Sequence, residues 1–485
     1  MPLNTSTPIE HVRTRAISDV TEYFAAGEYF RSLARRIAIP TESQHPAKSD
    51  EIHRYFTDEI IPDLQDLGFT TELWDNPESP EHPFLFAART EEPSAPTLLM
   101  YGHGDVMYAH PEQWREGLDP WVLKVEGDRI YGRGTADNKG QHSINIAALK
   151  HALEARSGLL GYNVKFLFES GEEAGSPGLV EFISANKDLL AADLFIASDG
   201  PRVSAEQPTV FLGSRGSINF ALRVDLRDRA YHSGNWGGVL RNPGTVLAAA
   251  IYSLVDGSGR IQIDTLNPGS IPAAVREALQ DIEIDQGPDS PRVDNAWGEP
   301  GLTPIERLIA WNTIEVLAII AGEPDATANA IPPCALGHLQ LRFVVGTDVS
   351  NFAERIREHL VKCGLPFVEV EVQHVMDATR LDPDHPTVQF ALRSIEATLG
   401  KKPALLPNLG GSIPNSPFSD ILGLPTIWIP HSYPACAQHA ADEHALSSIS
   451  LEGLQIMAGL FNDLSDQRES WAPRPMQSDP TSWEA

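Results

Sequence analysis

The stretch LLMYGHGDV, from Leu98 to Val106, is an apolar run that breaks into a histidine and an aspartate held between glycines. A short apolar run of this kind is typical of a buried strand. Polar residues that directly follow such a strand lie where open α/β sheets bind their ligands. His103 and Asp105 are therefore candidate site residues. A single aspartate after a strand is more often a helix cap or a turn residue, so the rest of the chain has to supply partners.

The N-terminal part of the chain repeats this pattern. Three further apolar runs indicate strands: FLFAAR at 84–89, NVKFLFES at 163–170 and DLFIASDG at 193–200. Helical periodicity surrounds them at residues 20–38, 49–67, 141–155 and 178–190. The alternation predicts an α/β catalytic domain with a largely parallel sheet flanked by helices.

The middle of the chain alternates apolar and polar side chains in three stretches, 218–228, 335–345 and 367–375. Such alternation is typical of an antiparallel sheet with one face in solvent. The α/β pattern returns after Arg380, so we expect a smaller α+β domain inserted into the catalytic domain. The predicted bounds are 1–207 and 379–485 for the two parts of the catalytic domain and 208–378 for the insertion.

Composition and charge limit the protein's class. The 485 residues include 37 Lys and Arg against 66 Asp and Glu, a formal net charge of −29, which argues against nucleic acid or an anionic membrane as a partner. Cys334, Cys363 and Cys436 form no CxxC pair, so a disulfide framework is not expected and a reducing compartment fits. The N-terminus lacks a signal-peptide pattern, and no apolar run is long enough to cross a bilayer. We expect a soluble cytoplasmic protein.

Five places along the chain carry carboxylates or histidines: His103 with Asp105, Asp137 in YGRGTADNKG, Glu172 with Glu173 in FESGEEAGSPG, Asp199 in FIASDG, and His439 with His444 in QHAADEH. Each of the first four follows an apolar run or lies in a glycine-rich turn. Carboxylates gathered in one pocket raise one another's pKa values steeply unless cations are present. A mixed His/Asp/Glu set suits Zn²⁺, with Mn²⁺ or Co²⁺ as alternatives. Two such ions normally share a carboxylate and a bridging water, on which a remaining acid acts as general base.

The ordered motifs GHGDV, GRGTADNKG, ESGEEAGSPG, SDG, YHSGNWGG and HAADE resemble the M20 family of metallopeptidases. NAIPPCALGHLQLR (Asn329–Arg342) and GGSIP (Gly410–Pro414) are similar to its carnosinase-like dipeptidase branch. Any one motif is weak, but the ordered set is specific and covers nearly the whole chain beyond about residue 20.

The resemblance implies a role for each residue of the site. Asp137 would bridge two metal ions, and the peptide bond after it would be cis. His103 and Asp199 would complete the ligands of one ion, and Glu173 and His439 those of the other. Glu172 would be the general base and then the general acid, and Asp105 would orient the ring of His103.

The resemblance also implies that the inserted domain is a lid and dimerisation domain. It implies that the protein is a homodimer formed through this domain. His232 would reach the partner subunit's active site and polarise the scissile carbonyl. Arg342 would hold the substrate's carboxylate with its planar fork, assisted by Asn329, Gly411 and Ser412.

Some alternatives stay open. His431 and His444 compete with His439 as the last ligand, although His439 heads the H-x-x-D-E pattern. The family branch usually has Arg-Glu where this chain has Asn408-Leu409, which leaves the substrate open. We expect a hydrolase that cleaves a dipeptide or short peptide with a free carboxylate. The alternatives are an N-acyl or N-carbamoyl amino acid amidohydrolase and, remotely, a metal-dead binding or scaffold protein.

Overall fold

Residues 8–284, 291–323, 325 and 327–472 are described by the structure, a computed structural model. Contacts divide the chain into two units. The first comprises Met1–Phe211, Leu381–Leu405 and Pro417–Ala485, and the second comprises Leu212–Arg380 and Leu406–Ser416. The predicted domain bounds stay a prediction, as does the lid and dimerisation role of the insertion.

The first unit contains a sheet with the strand order β1-β2-β6-β3-β7-β16-β8-β15. Its central strands β6, β3, β7 and β16 pair in parallel, whereas β1, β2 and β8 pair antiparallel toward the edges. A smaller sheet has the order β17-β5-β4. The strands, labelled along the chain, are β1 Thr70–Trp74, β2 Phe84–Arg89, β3 Thr97–His103, β4 Lys124–Glu126, β5 Arg129–Tyr131, β6 Asn163–Glu169, β7 Leu194–Ala197, β8 Thr209–Phe211, β15 Ala404–Leu406, β16 Thr426–Trp428 and β17 His444–Leu446.

Helices flank the large sheet, as its fully buried central strands require. Leu98 to Tyr101 in β3 have no exposed surface. The helices of this unit are α1 Pro8–Ala25, α2 Glu28–Ile37, α3 Ser49–Tyr55, α4 Ile61–Asp66, α5 Lys139–Ala155, α6 Leu179–Ala185, α7 Lys187–Leu190, α13 Pro386–Leu399 and α14 Ser447–Asp466. The predicted α/β fold with a largely parallel sheet is confirmed.

The second unit is built on an antiparallel sheet of strand order β11-β13-β9-β14. Alternation along β13 turns Leu339 and Leu341 into the core, so that Gln340 and Arg342 lie on the opposite face. The elements of this unit are β9 Gly216–Asp225, β10 Tyr231–His232, α8 Ser233–Trp236, α9 Pro243–Leu254, α10 Ala273–Leu279, α11 Pro304–Ile309, β11 Thr313–Ile320, β12 Ala330–Ile331, β13 Cys334–Phe343, α12 Phe352–Lys362 and β14 Glu369–Met376. This is the predicted α+β insertion.

Two further expectations can be compared with the structure. Cys334, Cys363 and Cys436 form no disulfide, as predicted. Within the described residues, every helix is too short or too polar to cross a membrane. The cytoplasmic location stays a prediction.

Candidate metal centre

Strand ends bring the acidic motifs of the first unit together. Strand β3 ends at His103, the turn with Glu172 follows β6, and Asp199 comes two residues after β7. Because β6, β3 and β7 run in parallel, their carboxyl ends lie at the same edge of the sheet. Directly after β3, Gly104 allows the backbone to pass close to α3, since a Cβ at this position would lie 2.9 Å from the Tyr55 ring.

A first group of donor atoms surrounds Asp137 Oδ1. His103 Nε2 lies 3.0 Å from this oxygen and 3.5 Å from Asp199 Oδ2. The three residues are buried, and their donor atoms lie within 4.8 Å of one another. Such a cluster can hold a metal ion.

A second group surrounds the other oxygen of the same carboxylate. His439 Nε2 lies 3.0 Å from Asp137 Oδ2 and 3.1 Å from Glu173 Oε2. These donor atoms also lie within 4.8 Å of one another. Asp137 thus presents one oxygen to each group, as a carboxylate shared by two ions does.

The electrostatics of the cluster fit cations. Burial lowers the pKa of His103, but hydrogen bonds to Asp105, Asp137 and Asp199 outweigh it and raise that pKa well above its ordinary value. Burial and the charge of Asp137 raise the pKa of Glu173 to about 7. The carboxylates outnumber the imidazoles, so divalent cations would relieve the repulsion, and nitrogen and oxygen donors together suit first-row metals. The residues present fit the metal that the motifs imply.

Glu172 belongs to neither donor group. Burial raises the pKa of its carboxyl group well above the ordinary value, and the neighbouring carboxylates add to that effect. Asp105 organises this turn, because its two carboxylate oxygens accept hydrogen bonds from the backbone N–H groups of Glu172 (3.3 Å) and Glu173 (3.0 Å). The same carboxylate lies 3.3 Å from Nδ1 of His103.

The loop before α5 carries Asp137, and the Asp137–Asn138 peptide bond is cis, as the resemblance predicted. The sequence reasoning missed what holds this loop. Glu443 is fully buried, and its Oε1 accepts hydrogen bonds from the N–H groups of Gly134, Ala136 and Asp137 at 2.9–3.1 Å. Its Oε2 pairs with Arg133 Nη1 at 2.6 Å. The signal was present, since Glu443 is the last letter of HAADE.

Two amide side chains next to predicted ligands were also missed. Asn138 Nδ2 donates to the carbonyl of Ser198 at 2.8 Å and thereby ties the Asp137 loop to the segment that carries Asp199. Gln438 Nε2 donates to Asp137 Oδ2. Each of them adjoins a predicted ligand in sequence, which is the signal that could have found them.

The structure distinguishes the three candidate histidines. His439 approaches Asp137 and Glu173, whereas His431 Nε2 lies 3.1 Å from Ser198 Oγ and His444 Nε2 lies 2.5 Å from Tyr433 Oη. The loop of His439 is unusual, since Ala437, His439 and Asp442 all have φ near +60°. Non-glycine residues rarely adopt this conformation, and such residues cluster at functional sites.

The other predicted residues lie in the second unit. His232 is exposed on β10, which pairs with β12, and the Asn329 carbonyl accepts a hydrogen bond from Ser233 N at 2.8 Å. Arg342 Nη1 donates to Ser412 Oγ at 2.6 Å, so Arg342 and the Gly411–Ser412 segment are neighbours.

An α/β unit whose strand ends gather two histidine–carboxylate donor groups that can hold metal ions, joined to an antiparallel α+β unit, is the arrangement of a metal-dependent hydrolase. The sequence matches Peptidase family M20/M25/M40 over residues 99–463, and the chain belongs to this family.

Curated relatives agree with this placement. The chain is 28% identical over 464 residues to the Beta-Ala-His dipeptidase of Rattus norvegicus, covering 90% of this chain and 93% of the relative. It is 27% identical over 400 residues to the Cysteinylglycine-S-conjugate dipeptidase of Corynebacterium striatum, covering 79% and 84%. Among solved structures, human carnosine dipeptidase 1 is similar with a TM-score of 0.77 and 25% identity, covering 95% of this chain and 99% of that one.

Proposed function

We propose that this protein hydrolyses the amide bond of a dipeptide or short peptide with a free carboxylate, at a site holding two divalent metal ions. Zn²⁺ is our first choice for the ions, with Mn²⁺ and Co²⁺ as alternatives. One observation carries the proposal: Asp137 presents one carboxylate oxygen to each of two donor groups. The proposed ligands are His103, Asp137 and Asp199 for one ion and Asp137, Glu173 and His439 for the other.

When bound, the ions would polarise the scissile carbonyl and lower the pKa of the attacking water. The chain's own acid–base group in this proposal is Glu172. Its carboxylate lies outside both donor groups, and its raised pKa suits a group that takes a proton from water and then passes it to the leaving amine. Asp105 orients the His103 ring through Nδ1 and fixes the turn that carries Glu172.

Substrate recognition is assigned to the second unit. Arg342 binds the peptide's carboxylate, assisted by Ser412, Gly411 and Asn329. The planar guanidinium suits this task because it can donate two parallel hydrogen bonds to one carboxylate. Arg342 makes hydrogen bonds to Gln340 Oε1 and Ser412 Oγ, both neutral, so its charge stays available to a bound anion.

The proposed assembly is a homodimer through the second unit. Strand β11 stands at the edge of its sheet and exposes Val316, Leu317, Ile319 and Ile320, the last three by more than half. An apolar edge strand of this kind is a site for pairing with another chain. His232 is exposed in its own subunit, which leaves it accessible to the partner's active site. In this position it would donate to the developing oxyanion.

The test is a substrate screen on metal-stripped protein reloaded with Zn²⁺, Mn²⁺ or Co²⁺ in turn. We expect hydrolysis of dipeptides that a chelator abolishes and added metal restores. N-acyl and N-carbamoyl amino acids are the comparison substrates. Turnover confined to those compounds, or turnover that survives metal removal, would contradict the proposal.

A further inference from the structure

Among the described residues, Arg215 of the second unit is a buried arginine without a carboxylate partner, unlike the buried arginines of the first unit. In the first unit, three arginines that are 1% exposed are paired with carboxylates: Arg36 with Asp63, Arg133 with Glu443 and Arg202 with Glu452. Arg215 is 6% exposed, yet within the described residues its guanidinium has no carboxylate within ion-pairing distance. A buried charge without a counter-charge destabilises the folded protein, so a bound anion beside Arg215 would be stabilising.

The contacts of Arg215 show what it holds. Its Nε donates to the carbonyl of Gly410 at 2.8 Å and its Nη1 to the carbonyl of Trp311 at 3.2 Å. Among the described residues Nη2 has no hydrogen-bond acceptor. Gly410 begins the GGSIP motif, so Arg215 anchors the segment that carries Ser412.

A second arginine, Arg342, is linked to the backbone of Arg215 through Ser412. Ser412 Oγ donates to the backbone carbonyl of Arg215 at 2.7 Å and accepts a hydrogen bond from Arg342 Nη1 at 2.6 Å. Burial and, to a smaller extent, the positive charge of Arg342 lower the pKa of Arg215 to about 10. The two cations therefore repel each other while both remain charged at neutral pH.

The only carboxylate whose charge acts on Arg215 in the described part of the chain is that of Glu315 on β11. It lies too far away to form an ion pair, and burial raises the pKa of Glu315 despite the opposing effect of Arg215. An anion placed between the two arginines would relieve their repulsion and gain from both charges.

We propose that Arg215 is the second arginine of the subsite for the substrate's C-terminal carboxylate. This inference rests on the proposed function. Arg342 contacts the carboxylate, and Arg215 is a positioning residue that adds positive charge behind it and holds the Gly410–Ser412 segment. The subsite thus selects peptides with an ionised C-terminus over peptides whose C-terminus is blocked and neutral.

The experiment compares one dipeptide with its C-terminal amide in the metal-loaded full-length protein. The variants are Arg215→Met, which removes the charge, Arg215→Lys, which keeps it, and Glu315→Gln, which removes the competing carboxylate. The measured quantity is the ratio of kcat/KM for the carboxylate substrate to that for the amide. Circular dichroism and thermal melting check that each variant is folded.

We expect Arg215→Met to lower this ratio at least roughly tenfold, mainly through the KM of the carboxylate substrate. Arg215→Lys should keep most of the preference, and Glu315→Gln should raise it by about twofold. An equal loss on both substrates in Arg215→Met would show a merely structural role and overturn the inference. If Arg215→Met does not fold, the other two variants decide: collapse of the ratio in Arg215→Lys, or no rise in Glu315→Gln, would overturn it.

The kinetics of the wild-type protein distinguish failure of this inference from failure of the proposed function. Absence of dipeptide hydrolysis by the wild-type protein would refute the proposed function itself. Hydrolysis by the wild type with an unchanged ratio in every Arg215 variant would refute only the role of Arg215.

Discussion

The candidate metal centre of the first unit and the arginine pair of the second unit carry charges of opposite sign. In the first, the carboxylates of Asp137, Asp199 and Glu173 each lie within 3.5 Å of an imidazole. In the second, Arg215 and Arg342 donate to neutral oxygens of the protein. The metal centre keeps an excess of carboxylates over imidazoles, which divalent cations would balance, whereas the arginine pair has no carboxylate within ion-pairing distance among the described residues and would be balanced by an anion.

The largest effect that we expect in the first unit comes from Glu172→Gln. The amide cannot take a proton from water, so kcat should fall by roughly 10²–10⁴-fold. Metal content should remain that of the wild type, because Glu172 lies outside both donor groups. Elemental analysis and steady-state kinetics measure the two properties, with Glu181→Gln on the exposed surface of α6 as the control. Near-normal turnover would remove Glu172 from its proposed role.

His232→Ala tests whether the metal centre is completed by another subunit. Loss of an oxyanion donor should lower kcat by roughly 10²–10³-fold, with metal content unchanged. Mixing this variant with Glu172→Gln should restore about a quarter of wild-type activity, since random pairing gives half heterodimers with one intact site each. Kinetics after verified subunit exchange measure this. No recovery would place His232 outside the partner's site.

Glu443→Gln tests the buried ion pair between Arg133 and Glu443 in the first unit. It would leave Arg133 buried without its counter-charge and should cost about 3–5 kcal/mol of unfolding free energy. Urea denaturation of the metal-free protein measures this. Glu126→Gln, which affects an exposed pair with Arg115, should cost much less unfolding free energy. Equal costs in the two variants would mean that Arg133 and Glu443 contribute no more than a surface ion pair.

The smallest effect that we expect concerns pH. Burial raises the pKa of Glu169 to about 7, so the folded state binds a proton that the unfolded state has released above about pH 4.5. This group's contribution to stability is therefore complete below pH 4.5 and is lost as the pH rises toward 7, by about 3 kcal/mol at most.

Glu169→Gln should flatten that part of the stability–pH profile, measured by denaturant unfolding of the metal-free protein at several pH values. Exposed Glu112→Gln should leave the profile as in the wild type. A slope unchanged in Glu169→Gln would assign the pH dependence to other groups.

Much of the fold and of the candidate site could be predicted because the signals are local. The central buried strands are continuous apolar runs, and every candidate ligand except His439 ends such a run, lies a few residues beyond one or lies in a glycine-rich turn. Parallel strands place such ends at one edge of the sheet, so sequence order alone implied that His103, Glu173 and Asp199 meet. The choice of His439 over His431 and His444 was left open, because all three lie within one short segment.

What the sequence determined is the set of ligand types, their order and the α/β framework, since each depends on residues close together along the chain. What only the tertiary structure decided is how charge is balanced. Glu443 binds the Ala136 amide across 307 residues, and Arg215 binds the Gly410 carbonyl across 195. No local pattern encodes such a pairing, because burial and partnership of a charge depend on which distant segments pack around it.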